Sequence, residues 1–327
     1  MSKLVTIYGG SGFVGRYIAQ RMAKQGWRVR VAVRRPNEAM FVKPYGAVGQ
    51  VEPILCNIRD DASVRSAMLG ADAVVNCVGI LNEAGKNKFA AVQTEGAARI
   101  ARISAELGIG TLVHMSAIGA SADSDSAYAQ TKAAGEEAVL GFMPNAVILR
   151  PSVIFGAEDE FFNRFASMSR MGPILPLVGG ETKFQPVYVD DVAKAAEHAV
   201  LGRAAPGIYE LGGPEVNTLS GLIKDMLKVI YRRRLILNQP FFVGRILGTV
   251  FDGLQILTGG LVKNGVLTRD QVKNLRNDNV VGKDAKTLAD LDVQTTAISA
   301  ILPTYLWKFR PAGQYDDIKN SASNLRP

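Results

Sequence analysis

Residues 4–15 read LVTIYGGSGFVG. Leu4 to Tyr8 have the length and β-branched character of a buried strand, and the glycines that follow end it abruptly. Gly10-x-Gly12-x-x-Gly15 is the spacing of a dinucleotide-binding turn, and Gly9 adds a second reading, Gly9-x-x-Gly12-x-x-Gly15. The physical tasks are separable. Early glycines allow a tight strand-to-helix turn, a middle one lets backbone N–H groups approach a pyrophosphate, and the last lets helix and strand pack closely. Ser11, Phe13 and Val14 fill the intervening places, and Phe13, Val14, Tyr17, Ile18 and Met22 recur at helical spacing until Gly26. A helix N-terminus placed there offers unpaired N–H groups and a partial positive charge to phosphates. The stretch therefore predicts strand, phosphate loop and helix, with the residues from Gly9 to Gly15 binding the cofactor.

Outward from this turn, strand-like runs at 27–33, 51–56, 71–78, 111–116 and 146–150 alternate with helical patterns at 61–69, 88–107 and 127–140. Such alternation predicts an α/β chain, a doubly wound parallel sheet of the Rossmann type covered by helices on both faces. The nucleotide-binding domain is expected over 1–213, with an excursion at 156–182, and a smaller, mostly helical region over 214–327. At the end of the second strand an NAD site would place an acid to bond the ribose 2′-OH. Arg34 and Arg35 stand there instead. A guanidinium matches a 2′-phosphate in charge and in fork geometry, which favours NADPH (NADP) as the cofactor.

With 327 residues, 47% of them hydrophobic, the chain can bury a substantial core. The net charge of +8 allows an anionic partner, but no nucleic-acid motif accompanies it, so no nucleic acid is expected. Cys56 and Cys77 lie inside apolar runs and read as small core residues in a reducing compartment. With only His114 and His198 besides, no metal site is expected, and His114 reads as a strand residue with a satisfied ring. The first strand begins by residue 4, leaving no room for a targeting peptide, and no uncharged run of about 18 apolar residues occurs to span a membrane.

Two stretches resemble the short-chain dehydrogenase/reductase superfamily in its extended or atypical branch. Asn57-Ile58-Arg59-Asp60 is similar to the family's Asp-hydrophobic-x-Asp, with Asn57 at the first acid, and Asn76-Cys77-Val78-Gly79 resembles its Asn-x-x-Gly. The resemblance implies that Asn57 and Asp60 contact the adenine. It also implies that Cys77, Val78, Gly79, Ser116, Pro151 and Val153 line the nucleotide. Tyr128 and Lys132 stand at i and i+4, on one helix face, and match the family's Tyr-x-x-x-Lys. In that family the ammonium lowers the phenol's pKa and bonds the nicotinamide ribose. The hydroxyl that polarises the substrate carbonyl is missing, since Ile118 occupies its place; Ser116 or Ser121 would be the substitute.

Three later blocks are narrower: LRPSVIFG at 149–156, EDEFFNRF at 158–165 and FQPVYVDDVA at 184–193. Together with the glycine turn they resemble the NAD(P)-binding accessory subunit of respiratory complex I over roughly residues 4–213. The resemblance implies a non-catalytic subunit that holds NADPH, with Tyr128 and Lys132 vestigial. Its partners would be subunits of the peripheral arm near the quinone module. Its place would be peripheral, on the cytoplasmic face of a bacterial inner membrane, with a membrane surface as a further contact. An active NADP-dependent reductase or epimerase, and a regulator that senses NADP(H), are the alternatives. Past Gly213, residues 219–231 read as an amphipathic helix ending in Arg232-Arg233-Arg234. Phe241 to Leu257 is strongly apolar, interrupted by Arg245 and Asp252, and reads either as a core or lid helix or as a surface lying on lipid or a partner. A final helix pair broken by Pro303 is expected over 288–306, and a polar tail after Phe309.

Overall fold

The computed structural model describes residues 2–83, 85–257 and 268–313, with 315 and 321. Its centre is a seven-stranded sheet. The chain lays down β1 (Leu4–Tyr8), β2 (Arg28–Val33), β3 (Val51–Leu55), β4 (Ala73–Asn76), β5 (Thr111–Met115) and β6 (Val147–Pro151). Between them run the helices α1 (Phe13–Lys24), α2 (Asp61–Met68), α3 (Glu95–Glu106) and α4 (Ala127–Phe142). Past β6 come β7 (Ile154–Phe155), α5 (Phe162–Met168), β8 (Ile174–Val178), β9 (Lys183–Phe184), β10 (Val187–Tyr188) and α6 (Val189–Val200), before β11 (Gly207–Leu211) closes the sheet. The spatial order is β11-β6-β5-β4-β1-β2-β3, and every pairing in it is parallel.

Both faces of the sheet are covered, so its strands are nearly continuous apolar runs. Side chains alternate across it: Val5 and Ile7 join one core with Ile18, Met22 and Val192, while Tyr8 and Val74 join a second with Val64, Ile100 and Leu112. An ion-pair clamp fixes α1 to α6, Arg21 donating to both carboxylate oxygens of Asp190 at 2.7 Å and to Glu197 at 3.0 Å. The chain builds outward from β1 to the β3 edge and then returns to β4, so the order reverses between β1 and β4. That reversal opens the crevice in which doubly wound sheets bind nucleotides.

A third core gathers Phe155, Phe162, Leu175, Leu177 and Phe184 with α7 (Leu219–Val229) and α10 (Ile298–Leu306). The remaining elements here are β12 (Asn217–Thr218), β13 (Leu235–Gln239), α8 (Phe241–Leu257) and α9 (Arg269–Asn274). The block at 158–165 is a structural knot: the buried Asp159 accepts from the Gly156 and Asn163 amides and from the Tyr305 hydroxyl. One expectation is corrected. Residues 288–306 hold a short 3-10 turn (Ala289–Leu291) and one helix rather than a pair, and Pro303 lies inside α10. That proline removes one backbone donor, but Ile298, Leu302, Tyr305 and Leu306 stay buried around it and hold the helix in place. Residues 235–239, read as nothing in particular from sequence, form β13, paired in parallel with β8. Residues 314, 316–320 and 322–327 of the polar tail lie outside the described residues.

Candidate functional site

The glycine turn sits where β1 ends at the crevice. Gly9 adopts φ +73°, a conformation that disfavours any Cβ, and its amide donates to Ala32 O at 3.0 Å. The Gly12 amide closes the turn onto Gly9 O at 2.9 Å. A Cβ at Gly15 would lie 2.4 Å from Gly9 O and 2.7 Å from the Gly10 Cα, so only glycine lets α1 start this close to the loop. Gly12, the residue capping α1, contributes no side-chain hydrogen bond, which leaves the first-turn amides to face a phosphate.

Arg16, which sequence reasoning passed over, braces this loop. Its guanidinium donates to Ser11 O at 3.1 Å and to Gly12 O at 3.3 Å, lies 4.8 Å over the Phe41 ring and pairs with Glu158 at 3.5 Å. The signal available in sequence was a cation directly after the last glycine, in the first turn of the helix. Arg34 and Arg35 are both exposed just past β2, and Arg35 is paired with Glu38 at 2.9 Å. Asp60 spends one carboxylate oxygen capping α2 through the Ser63 amide at 2.9 Å, and Asn57 Oδ1 accepts from the Arg59 amide at 3.2 Å. At the end of β4, buried Asn76 accepts from the Val78 amide at 3.1 Å and meets His114 Nδ1 at 3.1 Å, which shapes the segment through Cys77 and Gly79. His114 is half satisfied, a correction to the reading of its ring: Nε2 has no hydrogen-bond partner among the described residues. Burial holds its pKa down at about 3, so the ring is neutral.

Lys132 projects from α4 into the same crevice. It is 5% exposed, donates to Met115 O at 3.0 Å and lies 3.4 Å from where a Cβ on Gly79 would stand. Desolvation lowers its pKa to about 8, against the opposing pull of Glu136 and Cys77. The Lys132 Nζ is 6.0 Å from the Tyr128 ring centroid, and the phenol is not activated: burial pushes its pKa up to about 12. Ser116 Oγ, on a residue 4% exposed, has no hydrogen-bond partner among the described residues. Ile118 offers only its backbone here, its amide donating to Pro151 O at 3.0 Å. Opposite stands Asn279, whose Oδ1 accepts from the Val153 amide at 3.2 Å and from Ser152 Oγ at 2.6 Å, while its Nδ2 donates to Ile118 O at 3.4 Å. No sequence motif announced Asn279, because its role depends on a loop that crosses back over the sheet.

The site thus gathers the glycine turn, the β4 end, Ser116, Lys132 and Tyr128 at the carboxyl ends of the central strands, with Arg34 and Arg35 outside. A cradle that a Cβ would fill and two orphaned buried polar atoms, Ser116 Oγ and His114 Nε2, fit a nicotinamide dinucleotide. When bound, that group supplies hydride chemistry. The chain's own contribution would be backbone amides and Arg16 at the pyrophosphate and the Lys132 ammonium at the ribose.

The site is also tied to the C-terminal region. Asp270 of α9 accepts from Ser126 Oγ at 2.7 Å and from the amides of Ala127 at 2.9 Å and Tyr128 at 3.2 Å, so a residue far along the chain caps the helix that carries Tyr128 and Lys132. Asp270→Ala should cost about 1–2 kcal/mol, the upper range for a lost cap, measured by urea unfolding. An unchanged midpoint would show that the cap is idle.

Residues 5–212 match the model of the NAD dependent epimerase/dehydratase family. The NADH dehydrogenase (ubiquinone) 1 alpha subcomplex subunit 9 of Arabidopsis thaliana is 33% identical over 316 residues, 95% of this chain and 79% of that protein. The NADH-ubiquinone oxidoreductase 40 kDa subunit of Neurospora crassa is 30% identical over 315 residues, 95% of this chain and 80% of that protein. Among solved structures, the Bordetella bronchiseptica enzyme WbmH in complex with NAD+ superposes with a TM-score of 0.67 at 16% identity, covering 96% of this chain and 100% of that one. The last of these speaks for the fold alone.

Proposed function

Since the chain belongs to the NAD dependent epimerase/dehydratase family, we propose that it is a non-catalytic member, an NADPH-holding accessory subunit that supports assembly and stability of a membrane-bound NADH:quinone oxidoreductase. Supporting this are the relatives, themselves named as subunits of such enzymes, and a catalytic constellation in which Ile118 replaces the carbonyl-polarising hydroxyl. The observation that carries it is Ile118 at the carbonyl-polarising position, beside a Lys132 ammonium that donates to Met115 O and a Tyr128 phenol whose pKa burial pushes up to about 12. A general acid works best near the operating pH, and this phenol is far from it. In this reading residues 1–213 hold the nucleotide and residues 214–327 serve docking. The partners are peripheral-arm subunits near the quinone module, on the cytoplasmic face of a bacterial inner membrane. Gentle solubilisation of membranes should find this chain co-migrating with NADH:quinone reductase activity; migration as a lone protein would contradict the assignment.

The cofactor class of the family is a nicotinamide nucleotide, and the preference for NADPH is read from the two arginines past β2. Because Arg35 is already paired with Glu38, Arg34 carries most of the 2′-phosphate recognition. Arg34→Ala should weaken NADPH binding by about 1.5–3 kcal/mol, the worth of a charge-assisted bond, and leave NADH binding unchanged; Arg35→Ala should do less. Calorimetric titration with both nucleotides decides it, and equal affinities in the unmutated protein would sink the preference.

A second reading, an active NADP-dependent reductase or epimerase, draws on Ser116, whose buried hydroxyl without a partner among the described residues is a candidate donor to a carbonyl. Substrate-dependent oxidation of NADPH by the isolated chain would establish it.

A further inference from the structure

Helix α8 is held to the rest of the molecule by its glycines. A Cβ on Gly244 would lie 2.8 Å from Val178, and one on Gly248 2.9 Å from the Arg269 backbone nitrogen, so these positions mark the packed side. At about 3.6 residues per turn, Phe242, Ile246 and Val250 share the opposite side. They are 62%, 58% and 60% exposed. Such a row of large apolar side chains on an amphipathic helix marks an interaction surface. The ribbon leading into it continues the pattern: β13 enters α8 through Pro240, and Leu235 and Leu237 of β13 and Ile174 of β8 are exposed.

Beside the row is a cavity of about 210 Å³ lined by Arg245, Arg269, Val272, Lys273 and Arg276, with Asp125 as the one acid among the described residues; Lys273 also donates to Asp125 O at 2.8 Å. Arg245 belongs to α8 itself, three positions after Phe242 and so its neighbour on the helix surface, which makes cation and apolar row adjoining parts of one surface. Asp270, the acid of α9, is turned to the start of α4. The volume falls below the roughly 300 Å³ at which small-molecule pockets begin, which suits one phosphate rather than a nucleotide.

We infer that this face rests on an anionic phospholipid surface, a headgroup phosphate seated among Arg245, Arg269, Lys273 and Arg276 and the row of Phe242, Ile246 and Val250 lying in the acyl boundary. Charge complementarity favours an anionic lipid surface: four cations line a cavity beside an exposed apolar row, the arrangement of interfacial helices. Among the described residues no helix is long and apolar enough to cross a membrane, so contact is at the surface. The inference deepens the membrane-peripheral part of the proposed function and rests on it. It also assigns α9 a second task, since the helix that lines the phosphate cavity is the one that caps α4.

The test mixes the full-length chain with vesicles of phosphatidylcholine alone, or of phosphatidylcholine and phosphatidylglycerol in equal parts, and reads the bound fraction by sedimentation. Binding to the anionic vesicles should be stronger by about tenfold or more. At about fivefold per cation near a charged surface, Arg245→Ala with Arg276→Ala should weaken it roughly twentyfold, and Ile246→Ser with Val250→Ser by about tenfold or more. Excess inorganic phosphate should leave vesicle binding largely in place; displacement of the protein by phosphate, with the serine variant binding as the unmutated chain does, would make this a free-phosphate site and overturn the inference. Equal binding to both vesicle types, or failure to bind either by a chain that docks through this face on a protein subunit, would overturn it too. An NADPH-induced rise in melting temperature, recorded in every variant, keeps the outcomes separate. Where that rise persists while vesicle binding fails, the lipid inference falls and the nucleotide-holding function stands.

Discussion

Gly15→Val should abolish nucleotide retention and lower stability in the same step. Both atoms that its Cβ would meet, Gly9 O at 2.4 Å and Gly10 Cα at 2.7 Å, belong to backbone and cannot turn aside as a side chain would. Overpacking of this kind costs about 1–3 kcal/mol. The lost ligand adds to it, since nucleotide at a hundredfold excess over its dissociation constant stabilises the fold by about 2.7 kcal/mol. The gap from the unmutated protein should therefore be roughly 4–6 kcal/mol with NADPH present and only the packing part of that without it. Gly12→Val offers the contrast: its Cβ would stand 3.1 Å from Gly9 O, so the apo fold should be less disturbed while the approach of the pyrophosphate is filled. Thermal melts with and without NADPH read both. A Gly15→Val protein that still responds to NADPH would remove the glycine turn from the site.

The second large effect concerns Lys132, a buried cation that the fold holds at a cost. Its pKa falls from an ordinary 10.5 to about 8, and at about 1.4 kcal/mol per pKa unit that is a penalty of about 3 kcal/mol on the charged form. The folded protein binds fewer protons than the unfolded chain between these values, so the penalty is complete below pH 8 and fades as the pH rises to 10.5. Lys132→Met should then stabilise the apo protein by up to about 3 kcal/mol at pH 7, with the difference between the two proteins shrinking as pH rises through that window. Tyrosines and cysteines elsewhere titrate in the alkaline range, which is why the difference rather than either curve is the quantity to follow. The same variant should lose nucleotide, having lost the ammonium assigned to the ribose. A buried charge that destabilises the apo fold but is needed by the ligand is a mark of function. A less stable Lys132→Met apo protein at pH 7 would show that the ammonium is structural.

The parallel sheet could be read from the sequence because its strands are buried on both faces and announce themselves as apolar runs, and because the glycine turn needs its residues at fixed spacing. The site was legible in the same measure: Gly9, Gly12 and Gly15 act through local backbone geometry. What was not legible depends on segments distant in sequence. Asn279 joins Val153 to Ile118, Asp270 caps α4, and β13 pairs with β8, all through chain returns that no local pattern encodes. Arg16 is an intermediate case, visible as a cation in the first helical turn but assignable only once its donors are seen on Ser11 O and Gly12 O. Tyr128 and Lys132 show what spacing leaves out. Their i, i+4 positions place both on one helix face, but only the fold shows that the Lys132 ammonium donates a hydrogen bond to Met115 O and that burial raises the phenol's pKa.

In the proposed function a nucleotide is held here without being turned over. Replacing Tyr128 with Phe removes the phenol hydroxyl that a dehydrogenase of this family would use for proton transfer and leaves the ring against Phe89, 5.9 Å centroid to centroid, undisturbed. The measurement is NADH:quinone turnover per assembled complex carrying Tyr128→Phe. The account predicts turnover within about twofold of the unmutated complex, with nucleotide content unchanged. Removing a group that takes part in proton transfer typically costs on the order of a hundredfold or more, and a loss of that size in fully assembled complex would contradict it.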